Sequence, residues 1–308
     1  MKVLNFGSLN LDYVYQVEHF VQPGETISAA SQTVNPGGKG LNQSIALARA
    51  GAEVYHAGCI GVGGENLAQL LRENHVNTDW LLATNELQGN AVIQVEPSGE
   101  NCILLFGGSN QRITAEQVEN TLSAFSSGDW LVLQNEVNCL PMIVEKAYER
   151  GLKIILNPSP YNEKLDDVDF QKLSWLLINE VEAEQISGEK DASAAWCRLH
   201  NAYPGLSVLI TLGSAGSMAW RVENGEIETV SQAAFPVRAT DTTGAGDTYT
   251  GYFINGLLER RSLQKCMLCA SMASALSVTR PGAARSIPVR EEVEKALAAE
   301  NLTDERLM

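Results

Sequence analysis

Short strand-like runs alternate with helical segments along most of this 308-residue chain, and this alternation constrains the fold more than any other feature. Because parallel strands need crossover connections that are usually helices, the pattern predicts an α/β fold with a doubly wound, mainly parallel sheet. The predicted strands are Val3–Gly7, Val54–Gly58, Trp130–Gln134, Lys153–Asn157, Trp175–Asn179 and Val208–Leu212. The predicted helices are Leu41–Ala50, Glu65–Asn74, Pro141–Arg150, Ala192–His200, Thr248–Glu259 and Leu263–Val278.

Two regions, 12–34 and 89–106, break the alternation because each holds strand-like pieces with no helix between them. Pro23-Gly24 divides the first region, and Pro97-Ser98-Gly99 divides the second. We expect both regions to leave the main sheet and to pair as one small antiparallel sheet that covers a site as a lid. Since the sequence has no linker or internal repeat, residues 1–308 are predicted to form a single domain with this lid.

The strand Gly89–Gln94 in the second region has little charge to protect an exposed edge. Such an edge needs cover, because its unpaired N–H and C=O groups pair readily with another chain. The predicted cover is a second copy of the protein, which would make it a homodimer through the lid.

The charge balance limits the partners of the chain. Its net charge of −15 argues against nucleic acid and against anionic membranes as partners. No apolar stretch has the length of a membrane-spanning helix and the first residues do not resemble a signal peptide, so we expect a cytosolic protein. The same negative charge means that any phosphate ligand must be held by helix N-termini, a lysine or a divalent metal.

The stretch Asp241–Asp247 (DTTGAGD) precedes a segment whose apolar residues recur at helical spacing. Its small residues let backbone N–H groups approach a ligand, and the helix N-terminus adds partial positive charge, so the turn can hold an anion. Asp247 would then lie beside that anion, in place to take a proton from an attacking hydroxyl. The alternative is a glycine-rich turn with an Asp N-cap, although Thr242 and Thr243 already offer caps.

A second glycine-rich stretch, Gly37–Asn42 (GGKGLN), opens another predicted helix. It lacks the GxxxxGK[ST] spacing of a Walker A loop. Gly38 and Gly40 allow a ligand to approach closely, and the Asn42 amide offers both a donor and an acceptor. The alternative is a tight turn from lid to helix with Lys39 exposed.

Polar side chains follow several predicted strands at the edge where open α/β sheets bind ligands. Asn10 and Asp12 follow the first strand, and Glu136 follows the third. Carboxylates and amides at this edge suit sugar hydroxyls, and turn chemistry is the alternative. Asn179 and Glu182 follow a later strand and are expected to orient waters on a magnesium ion. Their alternative role is an N-cap followed by first-turn acids.

Two further turns have the composition of binding sites. Thr211–Gly216 ends a strand with a flexible turn, and residues 278–283 follow a helix of small residues. A helix end exposes unpaired carbonyl groups, which together with Asp241 are predicted to surround a cation. The CxxC pair Cys266 and Cys269 lies in that same helix and, without a second pair or a nearby His, favours a core helix over a metal or redox site.

These motifs resemble the ribokinase family, the PfkB group of carbohydrate kinases, from Gly7 to about Pro288. Gly37–Gly51 and Asp241–Asp247 carry the resemblance, and the second motif is the more specific. The resemblance implies a Rossmann-like α/β fold with a small β lid. It also implies transfer of the γ-phosphoryl group of ATP to a sugar hydroxyl.

The resemblance also implies roles residue by residue. Asp247 corresponds to the base, and Gly244, Ala245 and Gly246 correspond to the anion hole. The sugar-binding positions are Asn10, Asp12, Gly38, Lys39, Asn42 and Glu136. Asn179 and Glu182 belong to the magnesium and phosphate motif, and Thr211, Gly213, Gly216 and Ser271 lie by the nucleotide. The potassium site corresponds to Asp241, Thr243, Ser277, Arg280, Gly282 and Ser286, so the implied cofactors are ATP, Mg²⁺ and K⁺.

Three residues depart from the usual ribokinase pattern: Pro36 before the glycine pair, Asn90 in the lid and Ser271 near the adenine. They affect the sugar more than the reaction, and the main hypothesis is an ATP-dependent kinase of a small free sugar, ribose first. A phosphosugar kinase is disfavoured because the two lid regions contain no Lys or Arg. A nucleoside kinase and a non-catalytic sugar or nucleotide sensor are two further hypotheses, and a sensor would not need to retain Asp247.

Overall fold

The structure is a computed structural model, and it describes residues 1–300. In chain order the strands are β1 (Val3–Phe6), β2 (Asn10–Gln16), β3 (Ser31–Gly37), β4 (Val54–Val62), β5 (Asn77–Leu87), β6 (Asn90–Val95), β7 (Asn101–Phe106), β8 (Trp130–Gln134), β9 (Lys153–Asn157), β10 (Trp175–Asn179), β11 (Ser207–Thr211), β12 (Ser217–Glu223) and β13 (Glu226–Gln232). The α-helices are α1 (Lys39–Ala50), α2 (Glu65–Glu73), α3 (Ala115–Ser123), α4 (Leu140–Glu149), α5 (Glu180–Ser187), α6 (Ala192–Ala202), α7 (Ala245–Leu258), α8 (Leu263–Ser277) and α9 (Arg290–Ala299).

Nine strands form the main sheet in the order β13-β12-β11-β10-β9-β8-β1-β4-β5. The seven from β11 to β5 are parallel, and the hairpin β12–β13 adds two antiparallel strands at one edge. The central strands are buried on both faces, which explains their continuous apolar runs. The predicted doubly wound, mainly parallel sheet is therefore confirmed.

Successive residues of the main strands face opposite helical layers. In β8, Leu131 and Leu133 join the cluster with α3 and α4, whereas Val132 joins the cluster with α1, α7 and α8. The sheet thus lies between two layers of helices, each with its own apolar core. This arrangement places the N-termini of α1 and α7 on the same side of the sheet.

The other four strands form a separate small sheet in the order β3-β2-β6-β7. The two regions that break the alternation thus pair with each other, as predicted, although β2 and β6 run parallel. The prediction that Gly89–Gln94 is an exposed edge was wrong, because β6 is hydrogen-bonded to β2 on one side and to β7 on the other. The edge strands of the small sheet are β3 and β7.

All six predicted strands are present, and β8, β9 and β10 have the predicted bounds. Helix α7 begins three residues before the prediction, because Gly244 adopts a left-handed conformation (φ 75°) and serves as its N-cap. The expected caps were wrong, since Thr243 bonds to Asp241 instead. Among residues 1–300, no helix has both the length and the apolar character needed to cross a membrane.

Candidate active site

The side chain of Asp247 lies in the first turn of α7 and is only 7% exposed. Its Oδ2 accepts a hydrogen bond from Asn42 Nδ2 at 2.9 Å, and its Oδ1 accepts from Gln43 Nε2 at 2.9 Å. Both donors come from α1, which approaches α7 very closely. A Cβ on Gly251 would lie 2.4 Å from the Cβ of Ala46, so only glycine permits this approach.

Glu136 and Asp12 lie in the same cluster as Asp247. Glu136 Oε2 accepts from the Ser8 hydroxyl and from the backbone N–H of Lys39, the latter at 3.0 Å. Burial raises the pKa of the Glu136 carboxyl, although Lys39 and these two hydrogen bonds oppose the rise. Burial also raises the pKa of Asp12 to about 7, and the charges of Glu136 and Asp247 add to it. The cluster therefore favours hydroxyl groups over further negative charge.

Close packing of backbone allows this cluster to form. A Cβ on Gly37 would lie 2.0 Å from an oxygen of Asp12, and a Cβ on Gly40 would lie 2.3 Å from the backbone nitrogen of Ser8. Gly38 has a φ of 94°, which favours glycine, and it is the N-cap of α1. These glycines therefore bring the start of α1 against the end of β1.

Lys39 supplies the positive charge of the cluster. Burial alone would lower the pKa of its ammonium group, but the carboxylates of Asp247, Glu136 and Glu182 outweigh burial and raise it. Lys39 is therefore charged when it faces a ligand. The alternative of an exposed turn lysine was wrong, because Lys39 is half-buried and lines a cavity with Asp247.

Asn10 is held by Asn110, a residue outside every motif described above. Asn110 donates from Nδ2 to Asn10 Oδ1 at 2.8 Å and accepts from the backbone N–H of Leu9 at 3.0 Å. Because the acceptor oxygen of Asn10 is already engaged, its amide NH₂ is the group left for a ligand. In Asn42 the acceptor oxygen is the group left for a ligand. Its Nδ2 donates to Asp247, whereas its Oδ1 is buried and has no partner among residues 1–300.

Two adjoining cavities lie on either side of the N-terminus of α7. The larger, about 540 Å³, is mostly apolar, and it is lined by the predicted residues Thr211, Gly213, Gly216, Ala245 and Ser271 together with residues 234–237. The smaller, about 130 Å³, is lined by Lys39, Asn179, Glu182, Gly244, Gly246 and Asp247. Thr211 and Gly246 line both cavities, so a ligand in the larger one can extend its end to Asp247.

Asn179 and Glu182 form a reciprocal cap at the start of α5. Asn179 Oδ1 accepts from the Glu182 N–H at 2.8 Å, and Glu182 Oε2 accepts from the Asn179 N–H at 3.1 Å. The N-cap alternative is therefore present, and it coexists with a position beside the smaller cavity. The other Glu182 oxygen remains available to a ligand.

Asp241 joins the turn before α7 to the turn after α8. Its Oδ1 accepts from the N–H and the hydroxyl of Thr243, and its Oδ2 accepts from the Gly282 N–H at 2.8 Å. Burial raises the pKa of Asp241, but these three hydrogen bonds outweigh burial and lower it. The Arg280 side chain pairs with Glu292, which leaves only its backbone carbonyl for a cation. Ser277 and Ser286 donate to backbone carbonyls of the same region.

Comparison with known proteins identifies the family. The model of the pfkB family carbohydrate kinases matches residues 1–290. The chain belongs to this family. A ribokinase of Staphylococcus aureus is 37% identical over an alignment of 314 positions, which covers 96% of this chain and 99% of that protein. As a member of the pfkB family, the chain is a phosphotransferase with an alcohol group as acceptor.

Solved structures agree with this assignment. A ribokinase from Cryptococcus neoformans in complex with ADP is 33% identical, with a TM-score of 0.85 and coverage of 96% of this chain and 99% of that chain. Arabidopsis thaliana ribokinase complexed with ribose and ATP is 27% identical, with a TM-score of 0.82 and coverage of 96% and 98%. The fold of this pfkB kinase is thus ribokinase-like over nearly its whole length.

The site of this pfkB kinase includes residues that sequence reasoning missed. Gln43 bonds to Asp247, Asn110 orients Asn10, and Asn157 and Ser159 line the smaller cavity. Gln43 follows Asn42 directly, so its place in the glycine-rich stretch was a usable signal. Asn157 ends a correctly predicted strand at the ligand edge, and the strand-end argument applied to Glu136 would have found it as well.

Proposed function

We propose that the protein is an ATP-dependent ribokinase, which transfers the γ-phosphoryl group of ATP to a hydroxyl of free ribose. The observation that carries the proposal is the convergence of the Asp12, Glu136 and Asp247 carboxylates with Lys39 beside the smaller cavity. Ribokinases that share the family and the fold support it.

In the proposed reaction Asp247 accepts the proton of the sugar hydroxyl. The hydroxyl oxygen attacks the γ-phosphorus of ATP, the bond to the β–γ bridging oxygen breaks, and ADP leaves with that electron pair. Gly244, Ala245 and Gly246 form the anion hole at the N-terminus of α7, in which the Ala245 N–H already donates to Thr242 at 3.2 Å. Lys39 stabilises negative charge on the transferred group.

The polarity of the acceptor side supports a neutral polyol. Asp12 and Glu136 accept from hydroxyls, Asn10 donates, and Asn42 Oδ1 accepts. Three carboxylates with one lysine would repel a sugar that already carries a phosphate. This disfavours the phosphosugar kinase alternative, and the retained base and its two amide partners disfavour a sensor.

Asn90 is the observation that keeps a nucleoside kinase as second candidate. Its amide lies in β6 opposite Leu11 of β2 and donates to the Gln88 carbonyl at 3.3 Å. The remaining amide atoms are free to hydrogen-bond to a base or to a different sugar.

The deciding experiment measures ADP formation with ATP and a panel of ribose, deoxyribose, fructose, fructose 6-phosphate and nucleosides. Faster turnover of a nucleoside or a sugar phosphate than of every free sugar would overturn the ribokinase proposal.

We propose Mg²⁺ and K⁺ as the cofactors. Within residues 1–300 no group of three or more His, Cys, Asp or Glu side chains is arranged to hold a metal. This fits Mg²⁺, which is usually bound through one or two carboxylates, waters and the substrate phosphates, here with Glu182 and Asn179 beside the smaller cavity. Bound Mg²⁺ would neutralise phosphate charge.

For K⁺, the Asp241 carboxylate and the carbonyl-rich end of α8 provide oxygen ligands, with Thr243, Ser277, Arg280, Gly282 and Ser286 in the surrounding turns. Asp241 is hydrogen-bonded to the turn before α7 and to the turn after α8. A cation bound there would therefore fix the conformation of the anion hole. Equal rates in sodium and potassium salts at fixed ionic strength would contradict this site.

We also propose that the small sheet is a lid and that two copies meet through it. The residues of β7 from Ile103 to Phe106 are apolar and 46–71% exposed, on an edge strand. Four consecutive exposed apolar residues on an edge need cover, and a second copy of the same edge would provide it. Light scattering at micromolar concentration tests the dimer, and a monomer would contradict it.

A further inference from the structure

Two consecutive residues of α1 donate hydrogen bonds to Asp247, the proposed base, and neither side chain is charged. Asn42 bonds to Oδ2 of Asp247 and Gln43 bonds to Oδ1. Because a carboxylate only accepts hydrogen bonds, both amides must turn their NH₂ groups toward it. Asn42 lies on the sugar side of the proposed site, whereas Gln43 is completely buried and continues into a network beneath it.

This network leaves the Gln43 amide no freedom to turn. Its Nε2 also donates to Asn157 Oδ1 at 3.2 Å, and its Oε1 accepts from Gln134 Nε2 at 2.7 Å. Gln134 in turn donates to Asn5 Oδ1 at 3.0 Å. A flipped Gln43 amide would place its oxygen against the carboxylate and its NH₂ against the NH₂ of Gln134. Donation therefore runs from Gln134 to Gln43 and from Gln43 to Asp247, where this row of neutral amides ends.

We propose that Gln43 is a positioning residue for the base: it fixes the rotation of the Asp247 carboxylate, so that an oxygen faces the sugar hydroxyl. The terminal torsion of an Asp side chain is broad, so the orientation of the carboxylate must come from its partners. A neutral donor supplies that orientation without a formal positive charge, which would make the carboxylate a weaker base. This inference rests on the proposed function, since it assigns a role within the same site.

The test is Gln43→Met, which keeps most of the side-chain volume and removes the NH₂ group that donates to Asp247 and to Asn157. On whichever acceptor the wild-type enzyme uses best, kcat should fall about 10- to 100-fold, while KM for the sugar and for ATP stays within about threefold. The matched control is Gln117→Met. Gln117 is also buried and donates to the Gly58 carbonyl at 2.7 Å, but it lies in α3, away from the site. This control should keep the wild-type kcat.

A double-mutant cycle separates positioning from general damage to the site. In the Asp247→Asn background, Gln43→Met should lower the residual rate less than twofold, because Gln43 acts through Asp247. An equal loss in both backgrounds would overturn the proposal, and so would a wild-type kcat in Gln43→Met.

If Gln43→Met does not fold, Gln43→Glu replaces it, since it keeps the shape and still accepts from Gln134. It sets a second carboxyl against Asp247, so kcat should fall at least tenfold with ADP binding within about threefold of wild type. A wild-type kcat in this variant overturns the inference. A wild-type protein that phosphorylates some acceptor other than a free sugar contradicts the ribokinase proposal alone, whereas one that phosphorylates no acceptor contradicts both.

Discussion

The two sides of Asp247 are built in different ways. On the proposed acceptor side, Asp12, Glu136 and Lys39 are half-buried ionisable groups whose pKa values are all shifted by burial and by neighbouring charges. On the proposed nucleotide side, a cavity of about 540 Å³ is lined by glycines, alanines, serines, threonines and apolar residues, with no charged side chain among them. Charge and hydrogen bonding thus define the acceptor side, whereas shape defines the nucleotide side.

This difference predicts that substitutions on the two sides have separable effects. Loss of a carboxylate should weaken binding of the sugar and leave binding of the nucleotide unchanged. The reason is that a hydroxyl without a partner costs free energy only where it is buried. Loss of cavity volume should weaken binding of the nucleotide and leave binding of the sugar unchanged. Asp247 lies where the sides meet, so its substitution should affect the chemical step and neither affinity.

The largest effect is expected for Asp247→Asn. The amide keeps the shape of the side chain but cannot take the hydroxyl proton, so kcat should fall about 10²- to 10⁴-fold. Steady-state assays give kcat, and calorimetric titration with ADP should show an affinity close to wild type. A variant that kept more than a tenth of the wild-type kcat would remove Asp247 from the role of base.

Asp12→Ala should give the next largest effect and confine it to the acceptor side. The sugar loses one hydroxyl acceptor in a buried site, so kcat/KM for the sugar should fall about tenfold to a few hundredfold. KM for ATP should remain nearly unchanged. A parallel rise in KM for ATP would mean that the two sides are coupled rather than separable.

Ala275→Leu tests the nucleotide side in the same way. Ala275 lines the larger cavity in α8, and three added carbon atoms should occupy space needed by the nucleotide. Added bulk of this size typically costs about 1–3 kcal/mol, so KM for ATP should rise about tenfold. KM for the sugar should not change, and Ala275→Ser, which adds little volume, is the control. Unchanged KM for ATP would show that the nucleotide lies elsewhere.

The central strands could be predicted because each parallel strand, buried on both faces, is a short apolar run. The edge strands β5 and β13 were missed, and so was β12 beside β13, since all three are partly exposed and lack such runs. One usable signal was overlooked: Asn224-Gly225, with φ values of 53° and 81°, is the type of two-residue turn that joins β12 to β13. A two-residue Asn-Gly turn is recognisable without any structure.

The site could be predicted only in part, for a different reason. Motif residues such as Asp247 and Lys39 lie at helix N-termini, and others lie at the ends of parallel strands. Both are places where α/β proteins commonly bind ligands, so position in the chain was enough to predict them. Gln43 and Asn110 act on Asp247 and Asn10, which are 204 and 100 residues away, and no local pattern contains such pairs. The raised pKa of Asp12 likewise depends on burial, and then on the charges of Glu136 and Asp247, and only the fold creates these surroundings.

That raised pKa gives the last predicted effect, which is on stability rather than on activity. The ordinary pKa of Asp is 3.8, and burial raises that of Asp12 to about 7 in the folded protein. The folded state therefore holds the proton more tightly than the unfolded chain does. The contribution of Asp12 to stability is fully present below about pH 4 and is lost as the pH rises to 7. Burial of the charged Asp12 carboxylate, together with the nearby charges of Glu136 and Asp247, should thus lower stability at neutral pH.

Asp12→Asn keeps the shape and cannot ionise, so it should escape this loss. Without ligands, its free energy of unfolding from urea titrations should exceed that of wild type by up to about 4 kcal/mol at pH 8, which is the equivalent of a pKa rise from 3.8 to about 7. At pH 4 the two proteins should be nearly equal. Burial also lowers the pKa of His56 to about 4, but both proteins share this group, so it cancels in the difference. Glu226→Gln, at an exposed carboxylate, should show no such pH-dependent gain. A constant difference from pH 4 to 8 would mean that Asp12 is ionised throughout, and that the acceptor side tolerates its carboxylates without strain.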